Sequence, residues 1–284
     1  MENTQNAQIK HIIHIADIHI PNSETNRPYT EMMNSFLKQL ITYIKENGYK
    51  QEETRIVICG DTYDRKLEVT NEARDIFHNM LNYLNKVAKT YIVAGNHDLS
   101  ENRLDRTDSL TPSFSIKGAY PNIHYLDKEL SYKSGYVIDE NVIFALFSMH
   151  DAFATPNLDG LREKYPDKRI IGLYHGDIAG SVTDVGRMSS KGIDTDVFIP
   201  CDCVMAGHIH KYQTIKKNGV PIVYAGSLFQ KAMDENTTGH GFVDWNMEDM
   251  NYKHVEIENK YKFYKFVITS YDDIANDNEK LLNL

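Results

Sequence analysis

The stretch Tyr91-Ile92-Val93-Ala94-Gly95-Asn96-His97-Asp98 constrains the rest of the chain. A short apolar run ends in a glycine, and three polar residues follow at once, each able to bind a metal or move a proton. A buried strand that stops on such a cluster fixes the backbone while the turn after it presents the side chains. Alone, the stretch also reads as a strand followed by an ordinary Gly-Asn turn. Four other apolar runs stop in the same way, on Asp17/His19, Asp61, His175 and His208/His210. Five such ends in one chain are hard to explain by packing.

Apolar periodicity places those ends on a scaffold. Residues 9–16 read as a buried strand, and Asp17 and His19 share one parity, so an extended backbone would turn both to one side. Residues 30–47 carry Met33, Phe36, Leu37, Leu40, Ile41 and Ile44 at helical spacing, with Asn47-Gly48 as the stop. Residues 55–59 form a second strand that runs into Gly60-Asp61; 70–88 form a second helix and 91–94 a third strand. The first hundred residues therefore read βαβαβ, a parallel sheet covered by helices. Ligands of such sheets bind beyond the carboxyl ends of the strands, so all five clusters would share one sheet edge. From 123 onward strands are expected at 123–126, 135–138, 142–147, 170–174, 202–206, 221–225, 241–245, 252–257 and 263–268, with 176–200 mostly loop. The fold class is α/β, with the later strands building a second sheet.

Hydrophobic residues at 41% and charged residues at 25% of 284 supply an ordinary soluble core. No run approaches the roughly 18 apolar residues of a membrane span, and the first residues do not have the pattern of a signal peptide. Cys59, Cys201 and Cys203 suggest neither a disulfide framework nor a zinc knuckle, which fits a reducing, cytoplasmic compartment. The net charge of −9 argues against coating nucleic acid by bulk charge, though not against a local grip. Carboxylate, amide oxygen and imidazole suit manganese, iron or zinc. Their number is too large for one ion and suits two that share a bridging carboxylate.

Asp17-x-His19, Gly60-Asp61, Gly95-Asn96-His97-Asp98, a lone His175 and Gly207-His208-x-His210 resemble, in this order, the calcineurin-like metallophosphoesterases over nearly all of residues 9–257. The resemblance implies a four-layer α-β-β-α sandwich, two mixed sheets flanked by helices. It implies one metal held by Asp17, His19, Asp61 and His210 and a second by Asp61, Asn96, His175 and His208. His97 would stand beside them and serve the leaving oxygen, and Asp98 could orient its imidazole. Two ions ~3.5–4 Å apart would clamp a phosphate oxygen and acidify a water.

Within that family, His14-Ile-Ala-Asp-Ile-His19, Val223-Tyr-Ala-Gly-Ser-Leu-Phe-Gln230, Gly239-His-Gly-Phe-Val-Asp-Trp245 and His254-Val-Glu-Ile257 resemble the SbcD-type nuclease branch. That resemblance implies a manganese-dependent DNA exonuclease and endonuclease of a DNA repair and recombination complex, partnered by an SbcC-type coiled-coil ATPase. The helices could supply a homodimer surface. Many members of the branch carry histidine three residues after the bridging aspartate, where this chain has Asp64. Residues 258–284 would begin a cap or C-terminal extension. DNA contact would fall to Arg65, Lys66, Arg103, Arg187 and Lys211, with Arg106, Lys191, Lys216 and Lys217 nearby, or these are solvated loop charges. Tyr63 and Tyr212 could stack on a base or simply pack, and Asp177 could support His175 or serve a turn. Two other functions compete: a phosphoesterase for a small molecule or phosphoprotein, and a non-catalytic, metal-stabilised scaffold.

Overall fold

Residue alternation along the strands sorts the apolar side chains into three cores. In β1 (His11–Ile15) and β2 (Thr54–Cys59), Ile13, Ile15, Ile56 and Ile58 face α1 (Arg27–Glu46) and α2 (Asn71–Val87), meeting Phe36, Leu40, Phe77 and Leu84. Ile12, Val57 and Cys59 face the other way, onto Phe144, Leu146, Ile171 and Leu173 of the second sheet. A third cluster, including Ile143, Ile170, Tyr174 and Phe198, covers that sheet's far side. The computed structural model describes residues 7–23, 27–66, 68–152, 154–183, 185–190 and 192–264.

The remaining strands are β3 (Lys89–Val93), β4 (Ile123–Tyr125), β5 (Gly135–Asp139), β6 (Val142–Phe147), β7 (Arg169–His175), β8 (Cys203–Gly207), β9 (Gln213–Lys217), β10 (Val220–Tyr224), β11 (Gly241–Asn246) and β12 (Tyr252–Glu256). They form two six-stranded mixed sheets, β12-β11-β1-β2-β3-β4 and β5-β6-β7-β8-β10-β9. In the first, β1 to β4 run parallel and β11 is antiparallel to both β1 and β12. In the second, β6, β7, β8 and β10 run parallel between antiparallel edges. The expected sandwich is present, with a thin outer layer on the second sheet that includes the short α4 (Leu161–Lys164) and a 3-10 turn at Thr195–Phe198.

Three expectations need correction. The later strands do not all build the second sheet, because β11 and β12 return to the first beside β1. The five polar strand ends come from two facing sheets, not one edge, because β1, β2 and β3 lie in the first and β7 and β8 in the second. Gln213–Lys217 is an additional edge strand, joined to β10 by Asn218-Gly219 at φ +56° and +80°. That is the left-handed pair a tight hairpin requires. Residues 263 and 264 are not strand; the rest of the strand expected at 263–268 and of the extension at 258–284 lies outside the described residues.

A buried ion-pair group ties the two sheets together away from the site. Asp139, at the end of β5, accepts hydrogen bonds from Arg55 on β2, from Lys89 Nζ (2.9 Å) and from Tyr91 Oη (2.9 Å) on β3.

Candidate active site

The loops after β1, β2, β3, β7 and β8 meet between the carboxyl ends of both sheets. Asp17, His19, Asp61 and His208 have φ of +50°, +50°, +51° and +102°, a region side chains other than glycine rarely adopt. Such strain persists only where the surroundings over-determine it. Here Asp17 N donates to Gly60 O (3.1 Å) and His19 N to Asp61 O (2.9 Å), while His208 N donates to the Asp17 carboxylate (2.9 Å). Asp17 and His19 are thus brought together by a left-handed turn, not by the parity of an extended strand.

Gly95 is needed for close approach. A Cβ there would lie 2.2 Å from Asp61 N and from Asp61 Oδ1. The carboxylate it admits sits between two clusters. Asp61 Oδ2 lies 3.5 Å from His19 Nε2, and Asp61 Oδ1 lies 3.2 Å from His175 Nε2. On one side, ligand atoms of Asp17, His19 and His210 lie within 4.8 Å of one another; on the other, those of Asp61, His175 and His208 do so. Asn96 Oδ1 joins the second group, 3.1 Å from His175 Nε2 and 2.8 Å from His208 Nδ1.

The residues fit a divalent ion pair by their proton inventory. Cys59 O accepts from His175 Nδ1 (2.8 Å), which turns Nε2 onto Asp61 Oδ1 and Asn96 Oδ1. With Nδ1 spent on that carbonyl, Nε2 faces two oxygens, where it either carries a proton or gives its lone pair to a cation. On the other side Glu235 Oε1 accepts from His210 Nδ1 (2.6 Å), leaving His210 Nε2 aimed at His19 Nε2 at 2.9 Å. The donors are nitrogen and oxygen only, as borderline and hard divalent ions prefer. Burial pushes the Asp17 carboxyl up to about 6. Burial opposes a charge on His175, but the Asp61 carboxylate outweighs it and raises that imidazole to about 9. Burial lowers His19 well below the ordinary histidine value and His208 to about 4.

His97 is half-buried beside this centre, its ring edge-on to His19 at 4.9 Å. Its Nδ1 donates to the Asp64 carbonyl (2.6 Å), so that carbonyl, and not Asp98, sets the ring. Asp98 is fully buried and accepts from the backbone of Thr62 (3.1 Å), Tyr63 (3.1 Å) and Gly95 (3.0 Å), stapling the β2 and β3 loops. Two residues at the centre have no signal in the sequence. Glu235 is one. Lys231 is the other, with Nζ 2.9 Å from Asp64 Oδ1 and 3.1 Å from His19 Nδ1. Asp177 lies near His208 rather than His175, its Oδ2 3.9 Å from His208 Nε2.

Some of the cations expected on nucleic acid lie near carboxylates, all at exposed positions. Arg65 lies 3.8 Å from Glu68, Lys66 2.6 Å from Glu101, Arg103 3.0 Å from Asp105 and Lys217 3.3 Å from Asp194. Arg187 is exposed and Lys211 half-buried, and Lys191 lies outside the described residues. Tyr63 is buried edge-on against Phe77 (5.3 Å), and Tyr212 stacks on His254 (4.4 Å), so both pack. The three thiols are buried and pushed up by burial. Among the described residues, no helix is long and apolar enough to cross a membrane.

The sequence profile of the calcineurin-like phosphoesterases matches residues 10–212. An uncharacterised protein, R555, of Acanthamoeba polyphaga mimivirus is 31% identical over 262 residues, covering 90% of this chain and 19% of that protein. This chain thus spans about a fifth of that relative's length. The SbcD component of the nuclease SbcCD from Staphylococcus epidermidis is 23% identical over 329 positions, covering 95% of this chain and 82% of that one. Among solved structures, an archaeal phosphodiesterase aligns over 87% of this chain and 99% of its own, at 12% identity and a TM-score of 0.39.

Proposed function

The chain belongs to the calcineurin-like phosphoesterase family, and from that premise we propose that it is a manganese-dependent phosphodiesterase acting on DNA, both exonuclease and endonuclease. The observation that carries the reading is the pair of clusters joined by one carboxylate, with Asp61 reaching His19 on one side and His175 on the other. Asp17, His19, Asp61 and His210 would hold one divalent ion, and Asp61, Asn96, His175 and His208 the other. When bound, the ions supply Lewis acidity to the phosphoryl group and to a water.

The chain's own groups do the rest. The Asp64 carbonyl occupies His97 Nδ1, which leaves Nε2 as the atom that holds or gives up a proton at the leaving oxygen. Glu235 and the Cys59 carbonyl fix the tautomers of His210 and His175, so that each presents a lone pair to the centre. Asp98 acts through the backbone, holding the turns that carry Asp61 and Asn96. Lys231 stands at the rim, where its charge meets an incoming phosphate.

Support for DNA comes from the similarity to the S. epidermidis nuclease component and from the 221–257 segment that resembles that branch. By the same similarity, an SbcC-type ATPase is the proposed partner. One observation favours a smaller phosphoester instead: Arg65, Lys66 and Arg103 each lie within 4 Å of a carboxylate of this chain. A single assay separates the two. Manganese-dependent release of nucleotides from linear duplex DNA, lost in His97→Ala while metal binding persists, is the expected result. Hydrolysis of bis(p-nitrophenyl) phosphate with no DNA cleavage, even with the ATPase present, would overturn it.

A further inference from the structure

A cavity of about 720 Å³ opens beside the centre, and His19, Asp64 and Lys231 belong to its lining as well as to the cluster's edge. A phosphate held at the clusters would therefore project one of its ester groups into this space. The volume is that of a small-molecule site and far exceeds the need of phosphate alone. We propose that the cavity seats a nucleoside unit carried on the scissile phosphate. This rests on the nucleic-acid reading above and adds to it the subsite that recognises the base.

The inner wall presents fixed rings. Tyr29 spends its hydroxyl on the Ile18 carbonyl and meets Phe229 edge-on at 5.5 Å, so its ring and not its hydroxyl is offered to a ligand. Met32 lies beside them. At the rim stand Phe263 and Tyr264, 46% and 48% exposed, together with Lys260 and Lys262. Aromatic faces accept any base because every base has a π-face, and Lys262 suits the charged backbone beside it.

The outer wall, residues 258–264, is held by side chains acting as backbone clamps. Gln230 Oε1 accepts from Phe263 N (2.8 Å) and its Nε2 donates to Phe263 O (3.1 Å). Gln39 does the same for Glu258, at 2.8 and 2.9 Å. Glu31 accepts from Lys260 Nζ (2.8 Å) and Tyr261 Oη (2.6 Å). Gln230 Nε2 also reaches Glu235 O (3.1 Å), and the Glu235 carboxylate holds His210. The rim that grips the base is thus built onto the loop that supports the catalytic centre.

The test uses the full chain and the double substitution Phe263→Ala with Tyr264→Ala. Both side chains are half in solvent, and Gln230 binds the backbone there, so the clamp survives. Thymidylyl-(3′→5′)-thymidine carries a nucleoside on both sides of its phosphate; methyl p-nitrophenyl phosphate carries none. The ratio of kcat/KM for the first over the second should fall about tenfold, mostly through KM, the size of one lost base stack. Titration calorimetry without turnover, using thymidine 5′-monophosphate and inorganic phosphate, should show the nucleotide weakened about tenfold more than phosphate. An unchanged ratio, or equal losses for both members of each pair, would overturn the proposal. If the ratio falls but duplex DNA is not cut, the DNA reading fails and the nucleoside site stands. If DNA is cut and the ratio does not move, the site fails and the DNA reading stands.

Discussion

Glu235 Oε1 lies 2.6 Å from His210 Nδ1, across 25 residues of chain. Burial works against a charge on His210, but the carboxylate outweighs it and raises the imidazole above its ordinary value. Glu235 also accepts from Lys231 N (2.8 Å), so one side chain aims a candidate ligand and shapes the loop beside it. Carboxylates behind metal-binding histidines typically account for 10–100-fold in metal affinity. Glu235→Ala should therefore weaken manganese binding by about that factor in titration calorimetry, with a modest fall in the unfolding midpoint measured in chelator as Lys231 N loses its acceptor. Equal affinity in the two proteins would remove Glu235 from the centre.

His97→Ala separates chemistry from metal binding. The ring is held through the Asp64 carbonyl, although its ligand atom also lies within 4.8 Å of those of His19 and Asp61. The expected loss in kcat is about 10²–10⁴-fold, the usual worth of a positioned acid or base. Calorimetric manganese affinity should stay within about threefold. A variant that lost its metal as well would move His97 among the ligands.

Asp98 is the sharper test of what a sequence conceals. Its place next to His97 suggests that it orients the imidazole, yet its oxygens are taken by backbone N–H groups of Thr62, Tyr63 and Gly95. Asp98→Ala would leave those buried donors without acceptors, at about 1–3 kcal/mol each. The sum should appear as a loss of about 3–9 kcal/mol in urea unfolding, and Asp98→Asn, which keeps one acceptor oxygen, should lose less. Wild-type stability in Asp98→Ala, with kcat alone reduced, would restore the orienting role.

What is legible follows from the range of the signal. The helices at 30–47 and 70–88 and nearly all the strands show in local periodicity because each buries one face or both. β9 escapes because Gln-Thr-Ile-Lys-Lys is half exposed on an edge and carries no apolar alternation, although Asn218-Gly219 marks the hairpin. The five polar strand ends are visible, since each interrupts an apolar run. Their convergence from two sheets is not, because local periodicity does not say that β7 and β8 pair in a different sheet from β1, β2 and β3. Glu235 and Lys231 stand at no recurrent spacing from the residues they touch. The partners of Arg65, Lys66 and Arg103 are likewise facts of the folded surface.

Asp139 gives a pH test remote from the centre. Burial raises its carboxyl, but the hydrogen bonds from Arg55 and Lys89 outweigh burial and bring it from 3.8 to about 2. A depressed carboxylate contributes stability that is fully present above its unfolded value and is lost as pH falls through the folded one. The window is therefore about pH 4 to 2, and the shift corresponds to roughly 2 kcal/mol. In urea unfolding at pH 6, Asp139→Asn should be less stable than the wild type by at least that amount, because it also strands Arg55 among buried groups. The gap should narrow by about 2 kcal/mol as the buffer is taken toward pH 2, where the wild-type carboxyl is itself being protonated. A gap that stays constant across this range would mean that the Arg55–Asp139 pair joins the sheets by shape alone, with no contribution from its charge.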